Sequence, residues 1–88
     1  MSELQTHHSL DATIRIYGKV QAADFPAWIA RHARKLGLIG VTTSQGSGCV
    51  TVQATGAQDM LGALALGCSL GPASVLVERV DYCPKDGS

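Results

Sequence analysis

The sequence has little charge, few aromatic residues and few cysteines, and it contains no long hydrophobic run. Of its 88 residues, 16% are charged and 5% are aromatic, and seven basic side chains balance seven acidic ones. Because the charges cancel, neither nucleic acid nor an anionic membrane is expected as a partner. No apolar stretch reaches the ~18 residues that a membrane span requires. The N-terminal segment also lacks the apolar core of a secretory signal.

The three cysteines, Cys49, Cys68 and Cys83, are odd in number and widely spaced. They form neither a Cys-x-x-Cys redox pair nor a zinc-binding pattern, so no metal and no cofactor is predicted. Free thiols are the usual state of cysteine in the cytoplasm, and a cytoplasmic protein is therefore expected. Cys49 and Cys68 are expected to pack as small apolar side chains, and Cys83 to be the most exposed.

Length and composition predict one small domain. A chain of 88 residues that is 45% hydrophobic is near the size at which a single core suffices. Residues 1–11 are polar and are interpreted as a flexible N-terminal tail. The folded domain is predicted over residues 12–83, and residues 84–88 are interpreted as a C-terminal tail.

The spacing of apolar residues predicts six elements of secondary structure. In chain order these are a strand over 12–20, a helix over 25–36, strands over 39–44 and 49–54, a helix over 57–70 and a strand over 74–82. The glycine-rich stretch between the two middle strands has the composition of a hairpin turn. This order predicts an α+β, ferredoxin-like βαββαβ sandwich, with two helices on one face of a four-stranded antiparallel sheet.

The second predicted helix lacks the charged outer face that is usual for a helix packed on a sheet, because Asp59 is its only charged residue. Its core stripe is predicted at Met60, Leu64 and Cys68. Leu66 and Leu70 project away from that stripe. Two interpretations stay open: scattered exposed leucines, or an apolar interface with a protein partner or a second copy of the chain.

Three sequence runs resemble the acylphosphatase family over roughly residues 13–82. The first is Gly-Lys-Val-Gln-Ala-Ala-Asp-Phe-Pro at 18–26, which is similar to the family's signature loop Gly-x-Val-Gln-Gly-Val-x-Phe-Arg. The second is Ala-Arg-Lys-Leu-Gly-Leu-Ile-Gly at 33–40, and the third is Gly71-Pro72 followed by Val-Glu-Arg-Val at 77–80. Their order and spacing make the resemblance specific.

The resemblance implies a site as well as a fold. Members of the family hydrolyse acyl phosphates, with backbone N–H groups of the signature loop cradling the phosphate beside its arginine. An asparagine on the second strand positions the attacking water. Helix N-termini attract anions and a guanidinium binds phosphate oxygens in pairs, so this arrangement is physically reasonable. The cradle positions in this chain are Gln21, Ala22, Ala23, Asp24 and Phe25.

The residues that would perform the chemistry differ. Pro26 stands at the arginine position and Ser44 at the asparagine position, while Ala22 replaces a glycine of the cradle. Asp24 is expected to cap the helix and to occupy N–H groups that would otherwise bind phosphate. The sequence therefore predicts an acylphosphatase-like protein with little or no acylphosphatase activity, and no residue is assigned as catalytic.

Two alternatives remain. The first is an active acylphosphatase with a rearranged site, in which Lys19, Arg15 or Arg31 supplies the positive charge and Ser44 orients water. The second is a structural or docking module that acts through the apolar second helix, with Leu66 and Leu70 at the interface. A small anion or an acyl phosphate is the expected ligand of the first, and a homodimer or a protein partner of the second.

Overall fold

Six elements follow one another in the order strand, helix, strand, strand, helix, strand in a computed structural model that describes residues 9–85. They are β1 (Ser9–Lys19), α1 (Phe25–Lys35), β2 (Ile39–Gly46), β3 (Cys49–Ala57), α2 (Gln58–Leu70) and β4 (Leu76–Lys85). The four strands form one sheet in the order β2-β3-β1-β4, and every neighbouring pair is antiparallel. This topology confirms the predicted ferredoxin-like α+β fold.

The register of the sheet places the apolar residues of neighbouring strands side by side. Ile14 of β1 lies between Val52 of β3 and Tyr82 of β4. Because side chains alternate along a strand, the residues on either side of Ile14 point to the opposite face. That second face carries polar side chains and is not covered by a helix.

Both helices pack on the apolar face. α1 buries Phe25, Ile29 and Ala33, which have the i, i+4, i+8 spacing of one helix face. α2 contributes a buried stripe at Leu61, Leu64, Ala65 and Cys68. Full burial of one large aliphatic or aromatic side chain stabilises a fold by about 1.5–3 kcal/mol, so these contacts hold the helices on the sheet.

The buried stripe of α2 differs by one position from the sequence prediction. Met60 is 37% exposed, whereas Leu61 is fully buried. Leu61, Leu64 and Cys68 have the i, i+3, i+7 spacing of one helix face, and this spacing rotates Met60 out of the core. Leu66 and Leu70 are 67% and 78% exposed, so they lie off the core stripe as predicted.

The first and last strands of the chain extend beyond their predicted ends. β1 begins at Ser9 and β4 reaches Lys85, so strand structure enters both segments that the sequence suggests are tails. The polar residues there continue the ladder, since Asp11 lies opposite both Thr55 and Lys85 and accepts a hydrogen bond of 2.6 Å from the Thr55 hydroxyl. Residues 1–8 and 86–88 lie outside the described part, and the division into tails and domain stays a prediction.

Candidate functional site

Within the signature run at 18–26, a loop of residues 20–24 leads from the central strand β1 into α1. Val20 at the start of the loop and Phe25 at the start of α1 are both fully buried, so the two ends of the loop are fixed in the core. Just upstream, β1 contains an irregularity in its pairing with β4 between Tyr17 and Gly18. Gly18 has φ +139°, and a Cβ there would collide with the backbone oxygen of Leu76. Glycine at this position therefore lets the β1 backbone approach the Leu76 carbonyl of β4 closely.

The backbone amides of the loop are partly free. The Phe25 N–H donates to the Ala22 carbonyl at 3.2 Å, and the Trp28 N–H donates to the Asp24 carbonyl at 3.0 Å. Within residues 9–85, the N–H groups of Ala22, Ala23 and Asp24 make no hydrogen bond. They lie at the N-terminus of α1, where the helix dipole and unpaired N–H groups favour an anion. Among the predicted cradle residues, which all lie in the described part of the chain, only Phe25 donates its N–H to another backbone group.

The predicted capping role of Asp24 is wrong. Asp24 occupies the N-cap position, but its backbone is helical (φ −86°, ψ −8°) and its side chain makes no capping hydrogen bond. A capping side chain needs an extended backbone to reach the N–H groups of the first turn. The Ser74 hydroxyl instead donates its one proton to the Asp24 carboxylate, and its oxygen lies 3.0 and 3.1 Å from the two carboxylate oxygens. The loop amides are consequently left free for a ligand.

Ala22 fits the loop without strain. No residue other than glycine has a positive φ in the described part of the chain. The alanine in place of the family's glycine therefore does not by itself distort the cradle.

Pro26 removes the positive charge from the loop. It lies in the first turn of α1, where a proline is tolerated because the N–H groups there lack helical partners. The pyrrolidine ring of Pro26 has neither a charge nor a hydrogen-bond donor, so Pro26 cannot bind a phosphate oxygen.

Ser44 lies on the other side of the sheet from the loop. It pairs with Thr51 of β3, which pairs in turn with the exposed Arg15 of β1, so all three share the face without helices. Side chains directly opposite one another in antiparallel strands point to the same face. The structure therefore separates Ser44 from Pro26, which belongs to a helix on the opposite face.

The cations named in the rearranged-site alternative are not gathered at the loop. Arg15 lies opposite Asp81 on the face without helices. Lys19 ends β1 opposite Leu76, and Arg31 lies on the exposed side of α1. In the described part of the chain, neither Lys19 nor Arg31 makes a hydrogen bond or an ion pair with a loop residue.

Two glutamines connect the loop to the β2–β3 hairpin, and the sequence prediction missed both contacts. The Gln21 side-chain amide donates to the Gly46 carbonyl, and the Gln45 side-chain amide donates to the Ala22 carbonyl at 3.4 Å. The Gly18 N–H adds a backbone hydrogen bond to the Gly48 carbonyl at 3.2 Å. The side of the sheet on which Gln45 lies could be read from strand alternation, but its contact with a loop 23 residues away could not.

Comparison with known proteins decides the family. The acylphosphatase family profile matches residues 12–87. The chain belongs to the acylphosphatase family. An acylphosphatase of Mesorhizobium japonicum is 34% identical over 67 residues, which cover 76% of this chain and 71% of that protein. One from Salinibacter ruber is 32% identical over 78 residues, covering 89% and 82%.

The acylphosphatase fold is also seen in solved structures. An acylphosphatase from Coxiella burnetii superposes with a TM-score of 0.83 at 23% identity, over 98% of this chain and 90% of that one. At this identity the likeness shows the fold alone. The chain therefore retains the acylphosphatase fold, and the assignment of the family's arginine and asparagine positions to Pro26 and Ser44 stays a prediction from the resemblance.

No cluster of three or more histidine, cysteine or acidic residues among residues 9–85 could hold a metal ion. No helix in the same range is both long and apolar enough to cross a membrane.

Proposed function

We propose that this acylphosphatase-family domain keeps a loop that accepts small anions but hydrolyses acyl phosphates poorly or not at all. The main support for the proposal is Pro26, an uncharged residue without an N–H, at the position that the resemblance gives to the family's phosphate-binding arginine. The free N–H groups of Ala22, Ala23 and Asp24 support residual binding of an anion. A cytoplasmic location remains part of the proposal, since free thiols are typical of that compartment.

The size of the expected loss follows from what the arginine does in phosphate chemistry. Positive charge placed on a phosphoryl group in the transition state is worth about 10³–10⁵ in rate in other phosphoryl-transfer enzymes. Without that charge, the N–H groups of the loop can still bind an anion, but the part of the transition-state stabilisation that a cation supplies is lost. The Asp24 carboxylate beside the loop adds repulsion to an incoming anion.

The enzyme alternative requires another cation to reach the loop. Arg79 is already held by Asp81, with 3.3 Å between its Nε and the carboxylate, and it lies 4.2 Å from the centre of the Tyr17 ring. Lys19 and Arg31 are the remaining candidates near the loop in sequence. Replacing both with glutamine would remove any residual hydrolysis if this alternative were correct.

The test is hydrolysis of acetyl phosphate by the native protein and by Pro26→Arg. We expect the native protein to match the uncatalysed rate within about tenfold, and Pro26→Arg to exceed the native rate by at least about 10². Pro26→Gln serves as the control, because it replaces the proline ring by an acyclic side chain without adding charge. Enzyme-like turnover by the native protein would contradict the proposal.

A second candidate function is association with another copy of the chain through α2. Leu66 and Leu70 expose 67% and 78% of their surface on a helix whose only charged residue is Asp59. An identical apolar face can pair with itself about a two-fold axis. A chain with balanced charges also offers little repulsion between copies.

Sedimentation equilibrium tests this second candidate directly. We expect native protein at about 1 mM to form dimers, and Leu66→Glu to shift it to monomers. Leu76→Glu is the matched control, because Leu76 is 57% exposed but belongs to β4. A native protein that stays monomeric at this concentration would exclude self-association through α2.

A further inference from the structure

Gln45 lies on the loop side of the sheet, one residue after Ser44. It pairs with Val50, which is fully buried beneath the helices, whereas Ser44 pairs with Thr51 on the opposite face. The Gln45 side-chain amide reaches the Ala22 carbonyl of the loop. A carboxamide is therefore present beside the loop, but it comes from the position after Ser44, and Ser44 is the position that the resemblance to the family implies.

The Ala22 carbonyl accepts two hydrogen bonds. It accepts from the Phe25 N–H at 3.2 Å and from the Gln45 side chain at 3.4 Å. In a trans peptide the C=O and the following N–H point in opposite directions. Fixing the Ala22 carbonyl toward the hairpin therefore fixes the Ala23 N–H in the direction away from it, where it is free for a ligand.

We propose that Gln45 is a positioning residue of the anion site, which orients the Ala22–Ala23 peptide so that the Ala23 N–H faces the ligand. This inference rests on the proposed function, namely that the loop binds an anion. Gln21 assists from the other direction by donating to Gly46 of the hairpin. Ser44 has no part in the site.

The experiment measures binding of inorganic phosphate to the full chain by amide NMR shifts, together with hydrogen exchange of the free protein. Gln45→Met keeps the length of the side chain and removes the donor, and Ser44→Ala is the matched control. Since one neutral hydrogen bond is worth a factor of about 3–10, we expect Gln45→Met to weaken phosphate binding by that factor. The Phe25 N–H should exchange faster by a similar factor, while core amides such as that of Val52 keep their native rates.

The two readouts separate this inference from the proposed function. If the native protein binds no phosphate while Gln45→Met still speeds exchange at Phe25, the proposed function fails, and Gln45 orients the Ala22–Ala23 peptide without serving a phosphate site. If Gln45→Met leaves Phe25 exchange unchanged, the positioning role is overturned, whatever happens to binding. Faster exchange with unchanged phosphate affinity overturns it too, as does an equal loss of affinity in Ser44→Ala.

Discussion

The hydroxyl of Ser74 donates to the Asp24 carboxylate, and its oxygen lies 3.0 and 3.1 Å from the two carboxylate oxygens. This contact joins the segment between α2 and β4 to the signature loop across 50 residues of sequence. It also keeps the Asp24 side chain from capping α1, while leaving its negative charge at the helix N-terminus. The loop therefore combines free N–H groups, which attract anions, with a carboxylate that repels them.

Removing the charge of Asp24 should strengthen anion binding. Asp24→Asn retains an oxygen that accepts from Ser74 and eliminates the carboxylate charge. Charges near a helix terminus are worth about 0.3–1 kcal/mol, so phosphate affinity should rise by about 2–5-fold at low ionic strength. The gain should shrink in 0.5 M salt, because exposed charges are screened.

The control for this substitution is Asp59→Asn, in the first turn of α2, which should leave phosphate affinity unchanged. An equal gain in both variants would assign the effect to net charge and not to the position of Asp24. Titrations followed by amide shifts of the loop distinguish the two results.

Gly18 should be essential for the approach of β1 to β4 beside the loop. Gly18→Ala places a Cβ against the Leu76 carbonyl at φ +139°, and such backbone strain lowers the free energy of unfolding by about 2–3 kcal/mol. Urea denaturation measures the effect. Gly62→Ala is the control, since a Cβ there meets no atom within 4 Å and should stabilise the α2 helix by about 0.5–1 kcal/mol. An unchanged free energy of unfolding in Gly18→Ala would show that glycine is not required at this position.

The cysteines should differ in reactivity. Burial raises the pKa of the Cys68 thiol from 9.0 to about 12, whereas Cys83 is exposed. At pH 8, iodoacetamide should modify Cys83 first and reach Cys68 only after unfolding, as peptide mass spectrometry would show. Rapid modification of Cys68 in the native protein would contradict its burial.

The higher pKa of Cys68 in the folded protein than in the unfolded chain affects stability at high pH. The unfolded chain releases the Cys68 proton from about pH 9, whereas the folded protein retains it until about pH 12. The unfolded state therefore binds fewer protons in this window, and stability should fall as the pH rises from 9 toward 12. Cys68→Ala should show a smaller fall over that range.

The sequence predicted the fold well because its local signals agree with one another. The stripe of Phe25, Ile29 and Ala33 defines α1, and the alternation around Ile14 and Ile16 defines the buried face of β1. Strand ends were predicted poorly. The ladder continues through polar residues such as Asp11, whose pairing depends on partner strands and not on local composition.

The site was predicted only in part, because its contacts join distant segments. The resemblance to the family located the loop between β1 and α1, and the assignment of the arginine position to Pro26 stays a prediction. The resemblance could not show that Ser74 would hold Asp24, or that Gln45 would reach the loop where Ser44 does not. These contacts depend on sheet register and on the path between α2 and β4, which leave no local pattern in the sequence.

The most direct test of the central claim is the phosphate dissociation constant of Pro26→Arg beside that of the native protein. A hydrogen bond from a charged group is worth about 1.5–3 kcal/mol, so restoring the guanidinium should tighten binding by about 10–100-fold. Pro26→Gln should bind within about threefold of the native protein, because it adds no charge. If the native protein already binds phosphate as tightly as Pro26→Arg does, another residue supplies the positive charge and the claim is wrong.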